Sequence, residues 1–372
     1  MRGRPEQEGK TFDASLDEGG KCRGRLPAGT TSDMHWVERR LMCDTIPALV
    51  GVEGFDAGYR ALRETAGLID LSWKKVLAIT GDDRKGWLQG QVTQDLRPFD
   101  SGGFTQFCLC SPTGQLEAIA GVWAFPDRYL VVLHEDSAPA LAKRIEKLVI
   151  MEDIQSAPVE EAILSIQGPE ATEKLSELMA LPSLDAGRSE IEGSEVIVLR
   201  SNRTGLGGWD LIVPLDATKA LKKLRKAFVA IDREAYLTAS LEAGMPQFGI
   251  DTDSKTLPPE LGPAFEAATV SYSKGCYAGQ EVLMRIHSRG HTNRTWVGLL
   301  CDGPVSRGDS IAYGSKPEMG RVTTAAFSPE FGYIAAGYVR NEIAMSGELV
   351  RIERDDQSTE AEVAEMPLLR LG

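Results

Sequence analysis

The chain has 372 residues, 42% of them hydrophobic and 26% charged, with 38 Gly and 19 Pro; this ordinary globular composition excludes a collagen-like or low-complexity chain and allows two or three domains. With 41 Lys and Arg against 54 Asp and Glu, the net charge of −13 argues against a general nucleic-acid or anionic-membrane binder, while leaving room for a local basic pocket. No apolar run approaches the roughly 20 residues of a membrane-spanning helix, no secretory signal opens the chain, and six Cys without a CxxC suit a reducing compartment, cytoplasmic or, in a eukaryote, mitochondrial.

Residues 1–41 are rich in Gly, Arg, Glu and Asp with almost no apolar periodicity, and predict a disordered extension. Ordered sequence is expected from near Ile46. Helical spacing of apolar residues runs from Gly54 to Ala66, with Gly67 as a stop. Val76–Thr80 is a short β-type run, and Asp82 suits the N-cap of a helix through about Gln91. Phe104–Cys110 and Ala118–Phe125 read as strands around the turn at 111–115, and Tyr129–His134 as a third. Ala138–Val149 is an amphipathic helix. Ala162–Ile166 is a strand, and Pro169 opens a helix over Glu170–Met179. Glu195–Leu199 and Trp209–Val213 are strands, and Ala217–Ala230 is a helix. This irregular alternation predicts an α+β fold through about residue 290. From Arg294 onward, short β-type runs between Gly- and Pro-containing turns predict a small β-barrel or sandwich.

Several common signatures are absent, including GxxxxGK[ST], HExxH and GxSxG; in RTGLGGWD the third position of a dinucleotide fingerprint is Asp210. Cys108 and Cys110 read as small buried hydrophobes. His287 and His291 have Gly290 between them, which argues against a helical metal pair, and no metal is expected. The strongest local pattern is SKGCYAGQEVLMR, Ser273–Arg285. Gly275 and Gly279 flank Cys276, a helix opens after Gly279, and Glu281 and Arg285 stand at (i, i+4) spacing. A helix N-terminus and Lys274 would both favour a thiolate at Cys276. A structural Cys in a Gly-rich turn accounts for the pattern as well.

KGCYAGQE closely resembles the signature of the YgfZ-type folate-binding proteins, relatives of the glycine cleavage T-protein (aminomethyltransferase). Ile79–Leu96, Ile163–Ala171, Arg203–Pro214, Leu241–Asp251 and Glu318–Pro329 resemble further superfamily segments in the same order. The resemblance implies a three-module aminomethyltransferase-like α+β fold. Its folate-binding region would cover 46–290, as one module of 46–155 plus 230–290 and another of 156–229, closed by a C-terminal β-barrel over 294–366. It implies tetrahydrofolate or a one-carbon derivative as cofactor, and iron–sulfur client or assembly proteins as partners, with neither nucleic acid nor membrane.

Site residues follow from the same resemblance. Asp210 stands where the superfamily grips the pterin edge with a Glu, with Trp209 beside it as a stacking candidate. Glu242 lies in the LEAG element, where Ser240 replaces an Arg. Gln280 belongs to the signature loop, and Arg285, Arg289 and Arg294 would line a folate-tail channel or be solvated. Cys276 and Lys274 would be the reactive groups. The superfamily's acidic pair falls on Ala118 and Ile119, which can neither accept a proton nor orient an amine. The expected function is therefore a tetrahydrofolate-binding accessory factor for iron–sulfur cluster assembly or repair, not a classical aminomethyltransferase. The alternatives are a one-carbon (aminomethyl or methyl) transferase using Glu117 or Asp95, and a non-folate interaction protein that keeps the scaffold.

Overall fold

The computed structural model describes residues 53–369, so the expectations for residues 1–41 and for a start near Ile46 fall outside it. The chain enters through α1 (Glu53–Glu64), β1 (Gly67–Asp70), β2 (Lys74–Thr80) and α2 (Arg84–Gln89). It continues through β3 (Phe104–Cys110), β4 (Leu116–Ala124), β5 (Arg128–His134), α3 (Ala138–Leu148) and β6 (Gln155–Pro158). Next come β7 (Ala162–Gln167), α4 (Ala171–Ser176), β8 (Ala186–Ile191), β9 (Ser194–Arg200), β10 (Gly208–Val213), α5 (Thr218–Ala227), β11 (Val229–Ala230) and α6 (Arg233–Glu242).

These strands form two sheets. One has five strands in the order β3-β4-β5-β2-β6, antiparallel throughout; the other has six, in the order β11-β1-β7-β10-β9-β8, with β1–β11 its parallel pair. The sequence pattern marks Gly67 as a helix stop but not β1, which crosses into the six-stranded sheet before the chain returns to build the five-stranded one. β8 also escapes the pattern: AGRSEI is polar along most of its length and buries only its two ends, as befits an edge strand. Asp82 does not cap α2. That helix starts at Arg84 with Asp83 at the cap position and no side-chain cap. The two acids face residue 153 instead, where Asp153 accepts from the Asp82 amide at 3.1 Å and Asp83 accepts from the Asp153 amide at 2.9 Å.

α1 and α6 pack together over the junction of the sheets. Tyr59, Ala61 and Leu62 join Ala235, Tyr236 and Ala239 in one apolar cluster with Val76, Trp123 and Ile212. Helix α6 starts cleanly because Asp232 accepts from the Ala235 amide at 2.7 Å. After α7 (Pro263–Thr269) and α8 (Gln280–Arg289) the chain forms a closed barrel. Its strands are β12 (Arg294–Cys301), β13 (Ser310–Tyr313), β14 (Lys316–Ser328), β15 (Gly332–Arg340), β16 (Leu349–Arg354) and β17 (Gln357–Ala364), in the order β12-β15-β14-β13-β16-β17. The architecture is thus α+β with a C-terminal six-stranded barrel; closure leaves that module no open sheet edge. Among the described residues, no helix is long and apolar enough to cross a membrane.

Candidate functional site

Adjacent residues of a strand point to opposite faces, and this decides the roles of Trp209 and Asp210. Trp209 enters the core on one side of β10, donates from Nε1 to Thr172 at 3.0 Å, and has its ring covered by the Arg200 guanidinium at 4.6 Å. It offers no free face for a pterin. Asp210, on the other side, is wholly buried and lies opposite Ser165 of β7. Its Oδ1 accepts from Ser165 at 2.7 Å, Ser201 at 2.8 Å and Arg203 Nε at 3.0 Å; its Oδ2 is held by Arg203 Nη2. Gln167 extends the network by donating to both serine hydroxyls at 2.9 and 3.0 Å. The carboxylate is therefore not presented as an acceptor, and the side chain that reaches outward is Arg203, 16% exposed.

Two groups stand on the other sheet, and Lys74 is near enough to this pair to feel both charges. Lys74 opens β2 directly opposite His134 at the end of β5, so their side chains share a face. Lys74 is half-buried and makes no side-chain hydrogen bond or ion pair to any described residue. Desolvation first, then Arg203, pull its ammonium down to about 7 against the opposing pull of Asp210. His134 contacts Asp136 at 3.5 Å, and burial and Lys74 hold its imidazole below the usual range. Trp73 packs on Tyr236 with ring centres 5.7 Å apart, and Arg233 lies over the Trp73 ring at 5.6 Å. Asn202 and Gly205, on either side of Arg203, border a groove of about 660 Å³ with Ala243, Met245, Met366 and Pro367.

Glu242 is a second wholly buried carboxylate, bound by Tyr59 at 2.8 Å and by Arg63, with the Ser328 hydroxyl of β14 beside it. Burial pushes its carboxyl up, opposed by Arg63. It ties α1, α6 and the barrel together and faces no groove. Ser240, which replaces the expected Arg, donates to the Arg203 carbonyl at 3.1 Å.

The signature loop sits elsewhere. Lys274 is buried and donates all three of its N–H bonds to carbonyls, of Gln89 at 2.6 Å, Val92 at 2.7 Å and Gln94 at 2.8 Å. Desolvation lowers its ammonium to about 8. It acts as a clamp on residues 89–94, with no N–H left for Cys276 or for a ligand. Cys276 is exposed. Gln280 accepts from the Tyr277 amide at 3.3 Å and so shapes the loop. Gly279 holds φ +83°, and a Cβ there would meet the Ser111 carbonyl at 2.5 Å; Gly114, at φ +80°, lies against Val282 in the same way. Ala278 borders a groove of about 650 Å³ with Pro112, Lys143, Lys147 and Leu148.

Arg285 is exposed, and Glu281 and Arg285 form no ion pair. The side chain of Arg289 lies outside the described residues. Arg294 is bidentate to Glu260 at 3.1 and 3.0 Å and stacks on Tyr338 at 4.2 Å, so it fastens the barrel and lines no channel. Ala118 lies in an apolar cluster with Phe107 and Val131, and Ile119 is half-buried. Glu117 is paired with Arg144 and Asp95 with Arg97 and Gln89, so neither carboxylate is free. Cys108 and Cys110 are buried; desolvation lifts the first thiol to about 12 and the second well above its ordinary value. His287 stacks on Tyr272 at 3.8 Å. Among the described residues, no group of three or more His, Cys, Asp and Glu is placed to hold a metal ion.

Residues 51–269 match the GCVT N-terminal domain, and residues 294–369 the glycine cleavage T-protein C-terminal barrel domain. The aminomethyltransferase of Rubrobacter xylanophilus is 30% identical over 81% of this chain and 83% of its own length. That of Synechococcus sp. is 28% identical over 86% and 92%. The crystal structure of the aminomethyltransferase of Bartonella henselae superposes with a TM-score of 0.76 at 22% identity, over 84% of this chain and 88% of its own.

Proposed function

Because the chain belongs to the family of the glycine cleavage T-protein, in both its N-terminal domain and its C-terminal barrel, we propose that it binds a reduced folate and handles a one-carbon unit carried on it. The observation that carries this reading is the match of both modules to aminomethyltransferases along most of either chain. The same likeness favours the transferase reading over the accessory role in iron–sulfur assembly that KGCYAGQE suggests.

A folate has a pterin end that presents N–H donors and a glutamate end that presents carboxylates. The residues around Asp210 do not fit a pterin edge gripped by that carboxylate, since its oxygens are already taken by Ser165, Ser201 and Arg203. No transfer step is therefore routed through Asp210. A transferase also needs a group to take the proton of the amine as the one-carbon unit moves. Ala118 cannot, and Glu117 or Asp95 would first have to leave its arginine. The expected behaviour is folate binding with slow aminomethyl transfer.

Calorimetry with folinic acid, together with a transfer assay using tetrahydrofolate and an aminomethyl donor, tests this. Binding with turnover establishes the transferase, and binding without turnover leaves a folate-dependent accessory protein. Absence of binding at millimolar ligand removes folate from the account. One observation favours the accessory reading, the exposed thiol of Cys276 on its own loop. It predicts that Cys276→Ala lowers the activity of iron–sulfur enzymes in cells, and unchanged activity rejects it.

A further inference from the structure

We infer that Lys74, with His134 opposite it, forms a subsite for the carboxylate of a small-molecule ligand. The first support is donor and acceptor supply. Asp210 uses the Nε and Nη2 edge of Arg203 and Tyr236 also bonds its guanidinium, whereas all three N–H bonds of Lys74 have no partner among the described residues. The one buried carboxylate nearby has no acceptor capacity left at Oδ1. A group entering here meets donors and must bring acceptors.

The second support is charge. Arg203 and Asp210 cancel, which leaves Lys74 as the unmatched charge at the head of β2. A half-buried cation without a counter-ion is unfavourable unless something supplies one. The acids near His134, Glu135 and Asp136, are exposed, and Asp136 turns to the imidazole; Arg233, on α6, is also exposed and adds positive charge. Neither Glu135 nor Asp136 pairs with Lys74.

The third support is shape. Trp73, which precedes Lys74 in the chain, packs on Tyr236, and this aromatic pair near the head of β2 suits the flat part of a ligand. The subsite does not depend on what that ligand is. Its assignment to the glutamate end of a folate rests on the reading proposed above, and directs the pterin away from Asp210.

The ammonium of Lys74, pulled down to about 7, is cationic below that pH and neutral above it. The groups that face it are Arg203 and Asp210 from the six-stranded sheet and its loop, His134, Glu135 and Asp136 from the end of β5, and Arg233 from α6. His134 gains charge only in acid and acts in the same direction. Carboxylate binding therefore strengthens as pH falls through neutrality.

The test is calorimetry on the full chain with p-aminobenzoyl-glutamate, folinic acid and a tetrahydropterin that lacks the glutamate, comparing the unaltered chain with Lys74→Met and Lys74→Arg. Thermal midpoints check that each variant is folded. We expect p-aminobenzoyl-glutamate to bind, to lose about ten-fold or more in affinity in Lys74→Met, and to keep most of it in Lys74→Arg, as for a hydrogen-bonded charged group. Affinity should fall between about pH 6 and about pH 8 in the unaltered chain and stay level in Lys74→Met. Folinic acid bound equally by the unaltered chain and Lys74→Met overturns the subsite and leaves the folate reading standing. Lys74-dependent binding of p-aminobenzoyl-glutamate without any gain from a pterin supports the subsite and overturns the folate reading. No binding of either carboxylate ligand overturns both.

Discussion

Lys74 and Lys274 lie in different parts of the molecule and differ in one respect that matters. Burial lowers both ammonium groups, to about 7 and about 8. Lys274 recovers the loss through three backbone carbonyls, whereas Lys74 has no partner. Burial of a cation alone therefore says little about its role. A satisfied one holds structure together, and an unsatisfied one keeps donors that water or a ligand can fill. The sequence motif points to Lys274, and the packing of two sheets reveals Lys74.

Substitutions that remove each charge in turn separate the two. Lys274→Met should cost the most stability, about 1.5–3 kcal/mol, because three buried carbonyls lose a charged donor. A denaturant midpoint close to that of the unaltered chain would break the contrast. Lys74→Met should do the opposite and stabilise the fold by about 0.5–2 kcal/mol near neutral pH, since it removes an unmatched charge while keeping a side chain of similar length.

The pH dependence sharpens the same point. Between about 7 and 10.5 the unfolded chain keeps the Lys74 proton and the folded chain does not, so stability rises with pH across that window. Lys274 acts with the same sign from about 8 upward. Unfolding curves of Lys74→Met should therefore lose the rise between 7 and 8 and keep only the Lys274 share above it. A double-mutant cycle gives a smaller effect: Lys74→Met should partly rescue Asp210→Asn, with a coupling of about 0.5–1 kcal/mol, and add to Glu242→Gln without coupling. Smallest of all, Cys276→Ser should change stability by less than about 0.5 kcal/mol. Site-resolved maleimide labelling of the native chain should mark Cys276 and leave Cys108 and Cys110 unmarked until unfolding.

Much of this architecture can be read from local patterns. The helix at 53–64, the hairpins from Phe104 to His134 and the change of texture at Arg294 follow from periodicity and turn residues. β1 could not be placed, because its partners lie about a hundred residues or more downstream, at 164–167 and at 229–230. The separation of Trp209 from Asp210 was available from strand alternation, which forbids neighbouring residues from serving one ring. A polar residue inside the apolar run ILSIQ was likewise a sign that Ser165 had a partner. Nothing local marks Lys74 or the pairing of Arg203 with Asp210, since both arise where separate sheets meet. The clamp at Lys274 is invisible for a similar reason: its acceptors are carbonyls, and every residue has one.

The seating of Gly279 against the Ser111 carbonyl and of Gly114 against Val282 makes the Cys276 loop and the β3–β4 hairpin a dovetail joint. A side chain added to either half meets the other half, so the two segments have to be inherited together. Grafting the thiol loop onto a different scaffold would require transplanting the hairpin with it.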